Sequence, residues 1–191
     1  MLDLTYIKQL KKAMLEYAEE RRELIKNSGD ALHLSKRAIF AMHRDDLKEA
    51  KLKIAAAETI LKKLHKKFNK TRKMLDEGAY KEATEEYVEA SLLYEFLTKK
   101  KITKIKALPV SAETYIAGLS DVAGELYRYA IKAATARDME TTLLCKETAE
   151  EIVGELIEFN LTRYLRTKFD QAKQSVRKIE QVVYDLSLRI E

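Results

Sequence analysis

The sequence predicts an all-α protein, a bundle of about seven helices in which the first and last helices are unusually long. Three observations lead to this fold class. The 191 residues include only 5 Gly and 1 Pro, too few for the many turns of a sheet protein. Apolar residues recur at alternating spacings of 3 and 4 over most of the chain, and no segment alternates as a strand does. The length favours one helical domain over residues 1–191.

The first helix is predicted from about Asp3 to His43, which is roughly 60 Å of helix. One 4/3 phase runs from Leu10 to Met42 and becomes rich in small residues in its second half. The segment Asn27–Asp30 would ordinarily indicate a break, but the phase continues across it, and an interior glycine costs only about 1 kcal/mol. We therefore expect one uninterrupted helix whose small residues let neighbouring helices approach closely.

Two further helices are predicted before the middle of the chain. An apolar seam covers Leu47–Phe68, and Asp45–Asp46 precedes it with side chains suited to capping a helix N-terminus. The next helix is expected from about Ala79 to Leu97. A short helical turn is expected between Leu97 and Lys106.

Three helices are predicted in the remainder of the chain. After Pro109, Ser111 can cap a helix that reaches about Ala136, and Asp138 can start another that ends near Phe159. The last helix has the clearest pattern, because the apolar positions in Leu165–Ile190 are spaced 4, 3, 4, 3, 4, 3 and 4. This heptad seam is typical of a helix that packs along its whole length.

The distribution of charge gives the first indication of function. The net charge is +5, but residues 1–75 carry +9, residues 76–161 carry −7 and residues 162–191 carry +3. Basic surfaces attract polyanions, whereas clustered carboxylates attract hard divalent cations. The alternative is that these charged residues only keep the outer faces of the helices hydrated and have no binding role.

Several protein classes are disfavoured. The longest stretch without an acidic or basic residue is 114–120, far short of the roughly 20 apolar residues of a membrane span. No secretory signal is visible, and Cys145, as the single cysteine, cannot form an internal disulfide. We expect no membrane partner and a cytoplasmic protein. Glycine-rich phosphate loops, cysteine pairs for zinc and nucleophile elbows are absent from the sequence.

Pairs of carboxylates at helical spacing are the main chemical signal. Glu86 and Glu89 are three residues apart, and Asp121 and Glu125 are four apart, so each pair shares one helix face. If the two helices pack together, four acids converge, and an all-oxygen set suits Mg²⁺ or Mn²⁺ rather than zinc. Such pairs also occur on ordinary solvated faces. A di-iron site would need Glu-x-x-His pairs, and only Asp30-x-x-His33 comes near that pattern.

Four segments together resemble the translin family. They are SKRAIFAMHR (35–44), EYVEA (86–90), YIAGLSDVAGELYR (115–128) and KIEQVVYDLSLR (178–189), and their order and spacing fit over essentially the whole chain. The family includes translin, a binder of single-stranded nucleic acid, and translin-associated factor X, which carries the acids of a metal-dependent ribonuclease. EYVEA and DVAGEL resemble the second branch. The resemblance therefore implies that Glu86, Glu89 and Asp121 are catalytic and bind metal, with Glu125 in support.

The resemblance also implies an assembly and a substrate. The chain is similar to the compact prokaryotic or archaeal form of the family. This form is expected to assemble into a hollow homo-octamer that cleaves single-stranded RNA with Mg²⁺ or Mn²⁺, and single-stranded DNA is a second candidate substrate. Bases can stack on tyrosines such as Tyr87 or Tyr127. Two alternatives stay open: an oligomer that binds single-stranded nucleic acid without cleaving it, and a helical scaffold that binds protein. The residues expected to hold phosphates are Arg21, Arg22, Lys26, Lys36, Arg37, His43 and Arg44.

Overall fold

The computed structural model describes residues 2–69 and 72–188, and these residues form seven α-helices and no strand. This confirms the predicted fold class, including the very long first helix and the long last helix. None of the described helices is long and apolar enough to cross a membrane. The helices are α1 (Leu4–His43), α2 (Leu47–Phe68), α3 (Arg72–Leu75), α4 (Gly78–Lys99), α5 (Ala112–Thr135), α6 (Met139–Ile157) and α7 (Arg163–Ser187).

Helix starts follow from local capping chemistry. The first amides of a helix have no intrahelical acceptor, and a short polar side chain at the N-cap supplies one. Four helices begin in this way, so most of their boundaries fall within two residues of the prediction. Ile190, the last residue of the predicted α7 seam, lies outside the described residues. The caps are Asp3, Asp46, Ser111 and Asp138.

Helix α1 is continuous through Asn27–Asp30, as predicted. The Asn27 side-chain amide donates to the carbonyl of Glu23 at 2.8 Å, a bond made within the helix rather than one that ends it. The helical phase does not, however, predict burial. Leu10 and Met14 are exposed, and the seam is buried only in its second half, at Leu24, Ser28, Ala31, Ser35, Ala38 and Met42.

The connector between α4 and α5 contains no helix, so the prediction of a short helical turn between Leu97 and Lys106 is wrong. Lys100 ends α4 in the left-handed conformation, with a φ of 54°. Beyond it, the amide and the hydroxyl of Thr103 each donate to the Glu95 carboxylate at 2.8 Å. This side-chain acceptor replaces the backbone acceptor that a helical turn would have provided. The short helix is α3 instead.

Helices α4 and α5 join the two halves of the bundle. Helices α1, α2 and α4 pack against one another, α5, α6 and α7 do the same, and the α4–α5 contact links the two groups. Leu93 and Leu126 lie in the larger buried apolar cluster, which spans both groups. Residues at the contact between α4 and α5 are therefore held in place by the packing of both helix groups.

Helices α4 and α5 are in close contact at Gly118. A Cβ atom at this position would lie 2.8 Å from Val88 Cγ1 and 2.9 Å from the Glu85 carbonyl oxygen. Only a residue without a side chain allows this spacing. Gly118 therefore fixes how near the acids of α5 come to those of α4.

We expect Gly118→Ala to lower the free energy of unfolding by about 1–2 kcal/mol, because the added methyl group forces two packed helices apart. Gly154→Ala is the matched control, since a Cβ there meets nothing within 4 Å. It should stabilise α6 by up to about 1 kcal/mol through helix propensity. Chemical denaturation of both variants measures the difference. Equal effects from the two substitutions would contradict the close contact.

Candidate functional site

Five carboxylates meet where α4 and α5 cross, and we call them the acid cluster: Glu85, Glu86, Glu89, Asp121 and Glu125. Gly118 lies against Glu85 and Val88, and Asp121, one turn further along α5, shares a lysine with Glu85. This register directs two i,i+3 or i,i+4 acid pairs toward each other. The cluster thus arises from helical spacing and one close helix contact.

Glu89 is the least compensated member of the cluster. Its relative exposure is 8%, and it forms no hydrogen bond and no ion pair within the part of the chain that the structure describes. Burial, reinforced by the charges of Asp121, Glu86 and Glu125, raises the pKa of Glu89 to about 9. At neutral pH this carboxyl group keeps its proton unless a cation arrives.

Glu86 has a similar but milder environment. Burial raises the pKa of Glu86 to about 7; Lys36 opposes the rise, and the negative charges of Asp121 and Glu125 add to it. Lys36 Nζ lies 3.9 Å from Glu86 Oε2, an ion pair with a half-exposed lysine. Such a pair is too loose to neutralise the carboxylate fully. The α4 side of the cluster therefore carries more acid than its protein cations balance.

Lys168 of α7 supplies a partly buried cation on one side of the cluster. Its Nζ lies 2.7 Å from Glu85 Oε1 and 2.5 Å from Asp121 Oδ2. Burial opposes the charged form, but the bonds to Asp121 and Glu85 outweigh it and raise the pKa of Lys168. Asp121 has a raised pKa because burial outweighs the attraction of Lys168. The hydroxyl of Tyr164 completes this side by donating to Glu85 at 2.6 Å.

The negative charge of Glu125 is balanced by groups on α1 and α5. His43 Nε2 is hydrogen-bonded to Glu125 Oε2, and Arg128 Nη1 lies 3.0 Å from the same oxygen. Burial favours the neutral acid, but the hydrogen bond and charge of His43, with those of Arg128, lower the pKa of Glu125. Glu125 is therefore an ionised carboxylate at neutral pH, and the end of α1 is anchored to α5.

The structure brings the four predicted metal ligands into one neighbourhood, in which Glu86 and Glu89 are each perturbed by Asp121 and Glu125. It does not close them around a metal position. Over residues 2–69 and 72–188, no three His, Cys, Asp or Glu side chains are already arranged to hold an ion. The reason is that Asp121 and Glu125 are each turned toward a protein cation. The donor set itself, oxygen only and rich in negative charge, fits Mg²⁺ or Mn²⁺.

The basic residues predicted to hold phosphates separate into three groups. Lys36 and His43 contact the acid cluster itself. Arg22 and Lys26 are exposed and form no ion pair with any described residue. The third group is paired with acids outside the cluster: Arg21 with Glu77 at 2.7 Å, and Arg37 and Arg44 with Glu49 at 3.5 and 3.3 Å.

Four of these positions form a line along α1. Arg22, Lys36 and His43 are 14 and 7 residues apart, close to four and two helical turns, and Lys26 follows Arg22 by about one turn. The four therefore lie within roughly 100° of one another around α1, and we call them the α1 basic stripe. It extends over about 30 Å, from the exposed half of α1 to the acid cluster.

Sequence reasoning missed several residues of the site. Glu85 is adjacent to Glu86 and was visible in the same segment, EEYVEA. Tyr164 and Lys168 lie one helical turn apart, but their place in the site can be predicted only when it is known that α7 packs against α5. The expectation that Tyr87 stacks on bases is wrong, because its ring is buried and its hydroxyl donates to Glu58 at 3.0 Å.

Comparisons with known proteins locate this fold. A model described as the translin family matches residues 19–190. Translins of Bos taurus and Homo sapiens are 31% identical over 112 residues, which cover 54% of this chain and 48% of theirs. The translin of Gallus gallus is 38% identical over 78 residues, or 40% of this chain and 34% of that protein. The matched stretch thus spans about half the length of these relatives or less.

Solved structures agree over nearly the whole chain. The crystal structure of apo-NeC3PO superposes with a TM-score of 0.87 at 24% identity, covering 97% of this chain and 98% of that one. AfC3PO, alone and in a complex with duplex RNA, superposes with a TM-score of 0.86 at 22% identity and the same coverage. At these identities the similarity establishes the fold.

The protonation of Glu89 predicts how stability varies with pH. Between the ordinary pKa of 4.5 and about 9, the folded protein holds a proton that the unfolded chain releases, so stability falls as pH rises. Glu89→Gln removes this effect. We expect the melting temperature of Glu89→Gln relative to the unsubstituted protein to be higher at pH 8.5 than at pH 5, in the presence of a chelator.

The control for this measurement is Glu20→Gln, at an exposed position of α1. It should shift the melting temperature equally at both pH values. If the melting-temperature difference between Glu89→Gln and the unsubstituted protein is also the same at both pH values, Glu89 is ionised in the metal-free protein.

Proposed function

The chain belongs to the translin family, and on that premise we propose that it is a Mg²⁺- or Mn²⁺-dependent endoribonuclease. Its substrate would be single-stranded RNA, with single-stranded DNA as a second candidate, cleaved in the cytoplasm inside a homo-octamer. The observation that carries the proposal is the pair of half-buried Glu86, with only a loose ion pair to Lys36, and buried Glu89, which face Asp121 and Glu125. The pattern EYVEA at this position resembles translin-associated factor X.

Glu86, Glu89 and Asp121 would hold the ion, with Glu125 in support. When bound, a divalent cation activates water and neutralises charge in the transition state of phosphodiester hydrolysis. Burying carboxylates without counter-charge is costly, and a hard cation is the partner that relieves this cost. Asp121 would then exchange the ammonium of Lys168 for the ion, while Lys168 keeps Glu85. His43 and Arg128 hold Glu125 in place.

RNA would approach along the α1 basic stripe. Arg22 and Lys26 have no acidic partner among the described residues, so their charges are available for phosphates. The acid cluster itself repels phosphate, and a bound cation is therefore needed for the backbone to come near it. The complex of AfC3PO with duplex RNA supports RNA as the class of ligand.

Self-assembly is supported by the exposed half of α1. Leu4, Ile7, Leu10 and Met14 are each more than two-fifths exposed. Ile7, Leu10 and Met14 continue the 3/4 spacing of the buried seam. An apolar face of this kind is unfavourable in water and is typical of a subunit contact. A second copy of the chain is the partner that we propose.

A second candidate function is binding of single-stranded nucleic acid without cleavage, as implied for translin. One observation favours it: Asp121 and Glu125 already have protein cations, Lys168 on one side and His43 with Arg128 on the other. If these pairs persist, the cluster is a structural polar network rather than a metal site. The two functions differ in whether RNA is cut.

We expect Glu89→Gln and Asp121→Asn each to slow the cleavage of labelled single-stranded RNA in Mn²⁺ by on the order of 100-fold or more, because each removes a charged oxygen ligand. RNA affinity should fall by much less than the rate, since Arg22 and Lys26 still hold phosphates away from the cluster. Glu20→Gln is the control and should cleave at the unsubstituted rate. Cleavage at that rate by both cluster variants would exclude these acids from catalysis.

We expect Arg22→Ala and Lys26→Ala to weaken RNA binding alike for different sequences, because they act on phosphates. Each should also reduce the slope of log affinity against log salt by roughly 0.7 for a single strand. Lys62→Ala on α2 removes the same charge elsewhere and should leave the slope unchanged. An unchanged slope in all three variants would show that the stripe does not hold RNA.

A further inference from the structure

Two aromatic rings beside the acid cluster are unusually exposed. The exposed fractions are 58% for Phe40 and 51% for Tyr164. An aromatic ring gains free energy when it is removed from water, so burial is its usual state. Both rings lie next to residues that bind the cluster, one on α1 and one at the start of α7.

Phe40 stands on the α1 and Glu125 side of the cluster. It lies one turn after Lys36 and one turn before His43, the two α1 residues that contact cluster acids. Arg128 Cζ is 5.9 Å from the centroid of the Phe40 ring, and the same guanidinium bonds to Glu125. The ring is therefore held against the edge of the cluster and not free on a remote surface.

Tyr164 stands on the opposite, α7 side. Its hydroxyl donates to Glu85 at 2.6 Å, and Lys168 Nζ is 5.4 Å from the ring centroid. Lys168 also bonds to Asp121. The hydroxyl thus fixes the ring beside the cluster while more than half of the residue remains in contact with solvent.

The two rings share an arrangement that other exposed aromatic residues lack. Each has a cation near the ring, and that cation bonds to a cluster acid. Phe159 is as exposed as Tyr164, at 51%, but contacts no cation within the described ranges. A ring face together with a nearby cation is the combination that binds one nucleotide, the base by stacking and its phosphate by charge.

We propose that Phe40 and Tyr164 each stack on a nucleobase of bound RNA, one on either side of the acid cluster. This inference rests on the proposed function for its ligand and adds the residues that select it. Bases in a duplex are stacked on their neighbours and paired, whereas an unpaired base can turn out onto a protein ring. The two rings therefore make the site selective for unpaired nucleotides around the phosphate nearest the acids.

The test uses the full-length chain carrying Glu89→Gln, which prevents cleavage, and a single-stranded RNA with one 2-aminopurine. Phe40→Leu and Tyr164→Leu should each weaken binding on the order of 10-fold, because one stacking contact is lost. They should also reduce the change in 2-aminopurine fluorescence on binding. Phe40→Tyr and Tyr164→Phe keep a ring and should retain both signals. A blunt duplex of the same sequence should bind all variants equally.

Phe159→Leu is the matched control and should change neither affinity nor fluorescence. The inference is overturned if Phe40→Leu and Tyr164→Leu bind the single strand with the same affinity and the same fluorescence change as the Glu89→Gln protein. That result leaves the proposed function intact, because RNA binding and Glu89-dependent cleavage are measured separately. The converse outcome is that RNA binding depends on the two rings while the unsubstituted protein fails to cleave RNA. That result would support stacking and would contradict only the proposed nuclease activity. Loss of binding in Tyr164→Phe would place the effect in the bond to Glu85 and count against stacking.

Discussion

The close contact of α4 and α5 at Gly118 is the constraint on which the site depends. Because no side chain separates the helices there, acids one and two turns away on α5 face acids on α4 across a short, poorly solvated gap. Carboxylates in such a place cannot all be ionised without counter-charge. The protein balances part of this charge with Lys168, His43, Arg128 and, loosely, Lys36, and the remaining imbalance raises the pKa values of Glu86 and Glu89.

This unequal balance connects the packing to the proposed chemistry. The α5 acids and Glu85 are paired with protein groups, so they are fixed in position. Glu86 and Glu89 of α4 lack sufficient partners and favour any cation that reaches them. Helices α1 and α7 enclose the cluster from opposite sides. Helix α1 brings Lys36 and His43 into contact with cluster acids, and α7 brings Lys168. Each of the two helices also places one exposed ring beside the cluster. The bundle thus places the groups that we propose to bind phosphates and bases around the acids, on helices rather than loops.

Helical elements were predictable because they depend on local signals. The 3/4 spacing and the capping side chains Asp46, Ser111 and Asp138 specify helices and their starts without knowledge of tertiary contacts. The connector was not predictable, because Thr103 is held by Glu95, eight residues earlier. The exposed first half of α1 was not predictable either, since a helical phase does not reveal what covers it.

The site divides in the same way. The acid pairs were visible, because their spacing along one helix is a property of sequence. Lys168 and Tyr164 were not, because their contact with the cluster depends on where α7 crosses α5. Tyr87 was predicted to bind bases but is buried in the core. Tyrosine fits both a packed core and a binding face, and only the tertiary packing decides between them.

Calorimetric titration of the metal-free protein with Mn²⁺ at pH 8, in buffers of different ionisation enthalpy, tests the central claim most directly. If the uncompensated acids take up the ion, the carboxyl group of Glu89, with its pKa of about 9, must give up its proton. We predict binding with release of close to one proton per ion, and loss of both the release and most of the affinity in Glu89→Gln. Absence of binding, or binding with no proton release that Glu89→Gln leaves unaltered, would contradict the account.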